Sequence, residues 1–447
     1  MGTPGSFLRS LVVGACFAPT LALAQATASN DAALQTIIEQ NQRLQEQVKA
    51  QQKTIDELNA RMEDIRRASE RHEHELRTLQ ERADAAPDRA VPVERDREHE
   101  VRVGGEIALS FFNTGSAGPF PKSEFRVDDS KITIEAAVWK DVYFFTEINL
   151  LTRESGDDTP LTFGELYVEF EGLGSHWGRP GSLNVRVGSL NTPFGEEYQV
   201  RSPMSNPLIS HSLSDIWGPD EGVEIYGALG QVQYVVAVQN GGISQARDYN
   251  ADKSVTGRLA WNPVPWLRLS GSAMRTGEIS AADDYITSIW FANAFLRALG
   301  PLSRTTHFSA NLFEGDAIAS WKGGSFRAAF GQVHFKDNDP LVDHTRRISY
   351  GYLEATQTFT EQFYAAVRFS EIRVPGGYPL AGGAAAGPYF FAPSLAEELR
   401  RTSLGFGYRI GPPLVLKLEY AWESGRMLNG APRDHEDFFG AQVGMKF

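Results

Sequence analysis

The sequence predicts an all-β membrane protein, a 16-stranded antiparallel transmembrane β-barrel preceded by an α-helical coiled coil. Three observations carry this reading. Apolar residues alternate with polar ones from Val101 onward, the connectors between alternating segments switch strictly between short and long, and the chain ends on Phe447 after a last alternating stretch. Composition excludes the competing classes. With 447 residues, 42% hydrophobic and 22% charged, and a mean hydropathy of −0.30, the chain is too polar for a bundle of membrane helices and too apolar for a disordered protein. The net charge of −13 divides into −4 for residues 1–100 and −9 for 101–447, so neither part is built for nucleic acid.

The first element is an export signal over residues 1–24. Arg9 precedes the apolar run 11–18, and Ala22-Leu23-Ala24 has the small-x-small pattern read by signal peptidase, which places the mature start at Gln25. Val13 to Cys16 also resembles a lipoprotein box, but the apolar stretch runs past it to a better ordinary cleavage site. Cys16 is the only cysteine. The mature chain is therefore expected to hold no disulfide, thiolate metal site, thiol nucleophile or attached haem, and no cofactor is predicted. After the signal no run of 18 apolar residues occurs, so any membrane crossing must be made by strands.

The second element, within a domain of residues 25–82, is a coiled coil. With Leu34 at position a, the a series runs Leu34, Asn41, Val48, Ile55, Met62, Ser69, Leu76, and the d series Ile37, Leu44, Gln51, Leu58, Ile65, His72, Leu79. Ten of these 14 seam positions are apolar, which predicts a left-handed oligomeric coil roughly 70 Å long. The polar seam residues set register and strand number. His72 is read as part of a hydrated layer, with a metal or pH-sensing role as the alternative. Residues 83–100, with Pro87 and Pro92 among alternating charges, are a linker.

The barrel occupies residues 101–447. Short connectors fall at 139–141, 172–181, 229–230, 262–265, 322–324, 360–362 and 411–413; long ones fall at 114–124, 152–161, 191–220, 240–253, 276–304, 336–345, 374–400 and 424–435. Seven short and eight long connectors join 16 strands, provided 305–321 is one strand. Trp139, Trp177, Trp261, Trp266 and Trp321 lie in or beside the short turns, as an interfacial aromatic girdle requires. The terminal strand places Phe439, Ala441, Val443, Met445 and Phe447 on one face, which looks like the recognition signal for outer-membrane assembly.

The stretch from Leu183 to Glu197, followed by Asn206-Pro-Leu-Ile-Ser-His211, resembles the fifth strand and third loop of the phosphate-selective porin O and P family, and the 16-strand layout extends the likeness over 101–447. The N-terminal coil resembles that of trimeric porins with a periplasmic coiled coil. The resemblance implies a homotrimeric diffusion channel in the outer membrane of a Gram-negative-type bacterium, with the coil in the periplasm and the third loop folded into the lumen. The family's phosphate selectivity rests on basic pore residues, whereas this barrel region is net acidic.

Strand phase predicts the pore lining. Lys131, Arg186, Arg258, Arg268, Arg327, Arg368, Arg409, Lys417 and Lys446 are expected on the lumen side, with Glu135, Glu147, Glu165, Glu169, Glu224, Glu354 and Glu419. Most acids come from strands 2–6 and most bases from strands 8–16, which predicts opposed acidic and basic walls. The loop 191–220 is the expected constriction element, carrying Glu196, Glu197, Arg201, His211, Asp215 and Asp220. Arg186 and Arg201 are the best anion contacts, unless Arg201 instead pairs with Glu196 or Glu197 and fixes the loop. Tyr285 to Leu299 has helical character inside the fifth outer loop. The resulting expectation is a porin passing small hydrophilic, mainly anionic solutes such as phosphate or organic acids. Its alternatives are a tether joining the outer membrane to the cell wall through the coil, and a hydrolase using His211, Ser212 and Asp215.

Overall fold

The computed structural model describes residues 100–116, 121–152, 161–241, 248, 251–280, 290–291, 306–341, 343, 345–376, 396–427 and 429–447. The chain divides into two compact units, Met1–Pro87 and Asp88–Phe447. The signal sequence, the coiled coil and nearly all of the linker lie outside the described residues.

Sixteen antiparallel strands form a closed barrel. They are β1 (Val101–Thr114), β2 (Glu124–Trp139), β3 (Val142–Thr152), β4 (Thr162–Phe170), β5 (Asn184–Asn191), β6 (Pro219–Leu229), β7 (Val232–Gln239) and β8 (Ser254–Val264). The second half continues with β9 (Leu267–Arg275), β10 (His307–Trp321), β11 (Gly324–Asp337), β12 (Arg346–Thr358), β13 (Phe363–Arg373), β14 (Ala396–Gly411), β15 (Leu414–Met427) and β16 (Phe438–Lys446). Each strand pairs with its sequence neighbour, and β1 pairs with β16 from Glu106↔Lys446 to Thr114↔Phe438, which removes both sheet edges. Residues 307–321 are one continuous strand, so the count stays even.

Period-two patterning decides which face each side chain takes. On β13 Tyr364, Arg368, Ser370 and Ile372 are buried while Phe363, Val367 and Phe369 are exposed. On β15 Lys417 and Glu419 are buried while Leu416, Leu418 and Tyr420 are exposed. This inverts a soluble protein: charged groups point in and apolar groups point out. All five tryptophans near the short turns are exposed, Trp139 at 72% and Trp177 at 70% among them. The short connectors are tight, and at Gly230 the turn needs the left-handed backbone (φ 65°) that glycine adopts without strain.

The terminal residue completes the closure. Phe447 N donates to Gly105 O at 3.0 Å and Gly105 N to Phe447 O at 3.1 Å. A Cβ at Gly105 would stand 2.6 Å from the Phe447 ring, so the close approach requires glycine.

The buried core lies inside the barrel against one wall. Inward side chains of β9–β14, including Met274, Phe308, Leu312, Val333, Phe335, Ile348 and Ile372, pack with Phe194, Leu213 and Ile216 of the connector after β5. Burying those three connector residues contributes about 5–9 kcal/mol as an upper figure.

Candidate functional site: the inner face and the connector 192–218

The connector from β5 to β6 spans the barrel interior, and local chemistry shapes it before it reaches the far wall. Gly195 takes a left-handed backbone (φ 68°), where a Cβ would lie 2.3 Å from Glu314 Oε1. A short 3-10 turn, Glu197–Val200, follows. Asn206 then forms an Asx-type turn, its Oδ1 accepting from Leu208 N at 3.2 Å and its Nδ2 donating to Ser210 O at 2.9 Å.

Hydrogen bonds tie this connector first to β8–β10 and then, at its tip, to β13–β15 on the opposite side. Near its start, Gly195 N donates to Ser272 Oγ at 3.0 Å, and Arg258 Nη1 donates to Gly195 O at 2.8 Å. Arg268 Nε donates to Glu196 Oε1 at 3.0 Å, and Glu196 N to Asp316 Oδ1 at 3.3 Å. At the tip, Glu419 Oε2 accepts from Ile209 N at 2.6 Å and Ser210 N at 2.8 Å, while its Oε1 accepts from Ser210 Oγ. Arg368 donates to Ser210 O at 2.8 Å and Asn206 Oδ1 at 3.0 Å. Lys417 donates to Leu208 O at 3.2 Å, and Arg401 to His211 O at 3.0 Å. On the return, Ile216–Trp217 pairs with Trp290–Phe291. The extended backbone at 290–291 replaces the helix expected there; the rest of 285–299 lies outside the described residues.

These contacts change the meaning of the basic wall. Arg258, Arg268, Arg368 and Lys417 share the inward face of their strands, but the connector covers them and takes their donors. Each arginine also faces a carboxylate: Arg368 meets Glu354, while Arg258 and Arg268 converge on Glu196 at 3.5 and 3.0 Å. Arg401, absent from the expected lining, is buried against Glu423 at 2.7 Å. An open basic wall facing an acidic one is therefore not the arrangement found. Neutralisation between adjacent strands and connector replaces separation across the lumen.

The other side stays open. A cavity of about 250 Å³ is lined by Asp128, Asp129, Lys131, Glu147, Glu165, Arg201, His211 and Lys417, with Tyr198 and Trp217. Lys131 Nζ lies 3.2 Å from Glu147. Glu165 accepts from Asn191 N at 3.1 Å. Arg186 sits between Glu169 (3.2 Å) and Glu224 (3.3 Å), its guanidinium 4.6 Å from the Tyr226 ring centre and 5.0 Å from that of Tyr167. Glu135 and Arg327 are half-buried, Lys446 is exposed in the closing strand, and Arg409 is exposed over the Tyr364 ring.

Within the connector, Arg201 pairs with Asp215, rather than Glu196 or Glu197, and lies 4.0 Å over the Trp217 ring. Asp215 also meets His211 Nδ1 at 3.2 Å, and His211 Nε2 lies 3.3 Å from Arg201 O. Ser212 donates to Glu197, whose carboxylate also accepts from Ser212 N at 2.9 Å. His211 and Ser212 thus brace the connector through Asp215 and Glu197. Asp220 accepts from Gly241 N where β6 begins. Among the described residues no group of three His, Cys, Asp or Glu converges as a metal site.

Two glycines that receive the connector were missed from sequence. A Cβ at Gly405 would lie 2.4 Å from Leu208 Cδ2, and one at Gly440 would lie 3.1 Å from Ile209 Cδ1. Glycine in inward phase on β14 and β16 was the available signal, because a strand gives up side-chain packing only where something else approaches.

The chain's barrel has solved counterparts. The outer membrane channel DcaP of Acinetobacter baumannii superposes with a TM-score of 0.53 at 10% identity, covering 78% of this chain and 98% of that one. The in-vitro folded OmpT, an outer membrane protein of Vibrio cholerae in its trimer form, superposes at 0.51 and 9% identity, covering 78% and 100%. No family model and no curated relative matches the chain. At these identities the likeness shows a shared barrel fold.

Proposed function

We propose that the chain is an outer-membrane diffusion channel for small hydrophilic solutes, with the connector 192–218 as its constriction. One observation carries the reading: in a closed barrel whose outside is apolar, a polar connector is fastened across the interior and leaves a charged cavity beside it. An exposed apolar exterior with an inward charged face suits a wall between lipid and water. The solved counterparts described as an outer membrane channel and as a trimer support extending channel formation and trimeric assembly to this chain. The coil of residues 31–82 would hold three copies together on the periplasmic side.

For solute class, the geometry argues against the anion preference read from strand phase. Arg186 and Arg201, its two best contacts, are both engaged with carboxylates. The cavity lining holds four carboxylates, Asp128, Asp129, Glu147 and Glu165, against the three cations Lys131, Arg201 and Lys417, which favours a weak preference for cations. Reversal potential under a salt gradient, together with liposome swelling in uncharged sugars, tests both parts. Swelling with a reversal potential slightly on the cation side supports the reading. No swelling would favour the tether, and a clear anion-side potential would restore the anion channel.

A further inference from the structure

The outer wall carries a second feature, at the long-connector end of β11–β15. Lys336, Arg347, Arg373, Arg400 and Arg426 stand there with the strand carboxylates Glu371, Glu397 and Glu398, while Asp337, Asp339 and Asp343 lie at the end of β11 and in the connector after it. The register puts them in a row. Arg347 pairs with His334, Arg373 with Ser349, Arg400 with Glu371, and Arg426 with Glu398. At about 4.8 Å between strands, the arginines from β12 to β15 span about 14 Å. They share the outward face with Phe369, Leu404 and Trp422, each exposed four residues nearer the barrel middle on its strand. Arg373, Arg400 and Arg426 have side chains 57%, 46% and 56% exposed, so their forks reach solvent although they touch Glu371 and Glu398.

We propose that this row binds the phosphate-bearing headgroups of an anionic lipid in the leaflet on the long-connector side. Charge complementarity here is continuous with an apolar wall. Guanidinium forks match phosphate oxygens, and the aromatic and aliphatic surface below them receives acyl chains. Neither part alone selects an amphiphile; their adjacency on one face does. The proposal rests on the membrane-channel reading, because only a barrel in a bilayer presents this face to lipid.

The test is native mass spectrometry of the full chain in detergent, titrated with diphosphoryl lipid A. Wild type should retain bound lipid, and the Arg373→Ala/Arg400→Ala double variant should need about tenfold more lipid for the same occupancy, the loss of one strong charge-assisted contact. Glu371→Gln, which removes the competing carboxylate, should retain lipid more tightly and covers the case in which the double variant folds poorly. Equal retention by wild type and both variants would overturn the proposal. So would displacement of the lipid by millimolar inorganic phosphate, which would indicate a free-anion site, or loss of trimers in the double variant, which would indicate an interface between copies. Channel steps in planar bilayers should be the same in all three proteins, so failure of lipid binding is separable from failure of the channel reading.

Discussion

Glu419→Ala should loosen the tip of the constriction without unfolding the barrel. The Glu419 carboxylate is 2% exposed and accepts three hydrogen bonds, from Ile209 N, Ser210 N and Ser210 Oγ. Bonds to a charged acceptor contribute about 1.5–3 kcal/mol each, so three give roughly 5–9 kcal/mol before compensation. Water from the adjoining cavity re-satisfies much of this, leaving a net loosening of about 2–4 kcal/mol. That raises the population of a displaced tip roughly 30- to 700-fold. Residues 194–197 and the apolar cluster around Phe194 stay anchored, because their partners lie elsewhere. The assay is single-channel recording: the alanine variant should show larger and noisier steps, and limited proteolysis should cut near residues 206–211. Glu419→Gln is the control. An amide oxygen can still accept from both backbone N–H groups, so its channel should stay near wild type. Equal conductance, noise and protease resistance in wild type and Glu419→Ala would refute the claim that this carboxylate holds the tip.

Four further outcomes are expected. Arg186→Ala leaves Glu169 and Glu224 unneutralised on the inner wall, and the reversal potential should move toward cations; no movement would place Arg186 outside the ion path. Removing Phe447 deletes the ladder contact with Gly105 and should lower the amount of inserted protein in cells, whereas wild-type levels would count against a role in assembly. In the connector 240–253, hydrogen bonds from Arg275 hold the Asp252 carboxyl down to about 2. A depressed carboxyl stabilises above its unfolded value near 4 and loses that contribution as pH falls through about 2, so the Arg275–Asp252 contact, followed by the Asp252 side-chain chemical shift, should persist at pH 4 and be lost near pH 2. Deleting residues 25–100 should leave a folded barrel, and native mass spectrometry of the intact mature chain should give a trimer; a monomer with the coil intact would contradict that assembly.

The strand layout was legible because period two and turn chemistry are local. Asp141, Gly230 and Gly323, where the short turns need positive φ, stand in connectors read from sequence alone. Phase also put Arg258, Arg268, Arg368 and Lys417 on the inward face. What covers that face was not legible, since phase says nothing about a connector arriving from the other side of the barrel. The bonds from Arg368 to Ser210 and Asn206 join positions 158 and 162 residues apart, and that of Lys417 to Leu208 joins positions 209 apart. Neither periodicity nor spacing carries such pairings. Arg201 found Asp215 rather than its nearer neighbours Glu196 and Glu197 because Glu196 is taken by Arg258 and Arg268, and Glu197 by Ser212.

Residues 192–218 are proposed to narrow an open channel. Planar-bilayer recording of the full chain beside a variant in which residues 199–214 are replaced by a short Gly-Ser bridge addresses this most directly. Discrete steps are expected from both proteins, with the bridged variant conducting more and admitting larger sugars. Absence of steps from both, or equal conductance and equal size limits, would contradict it.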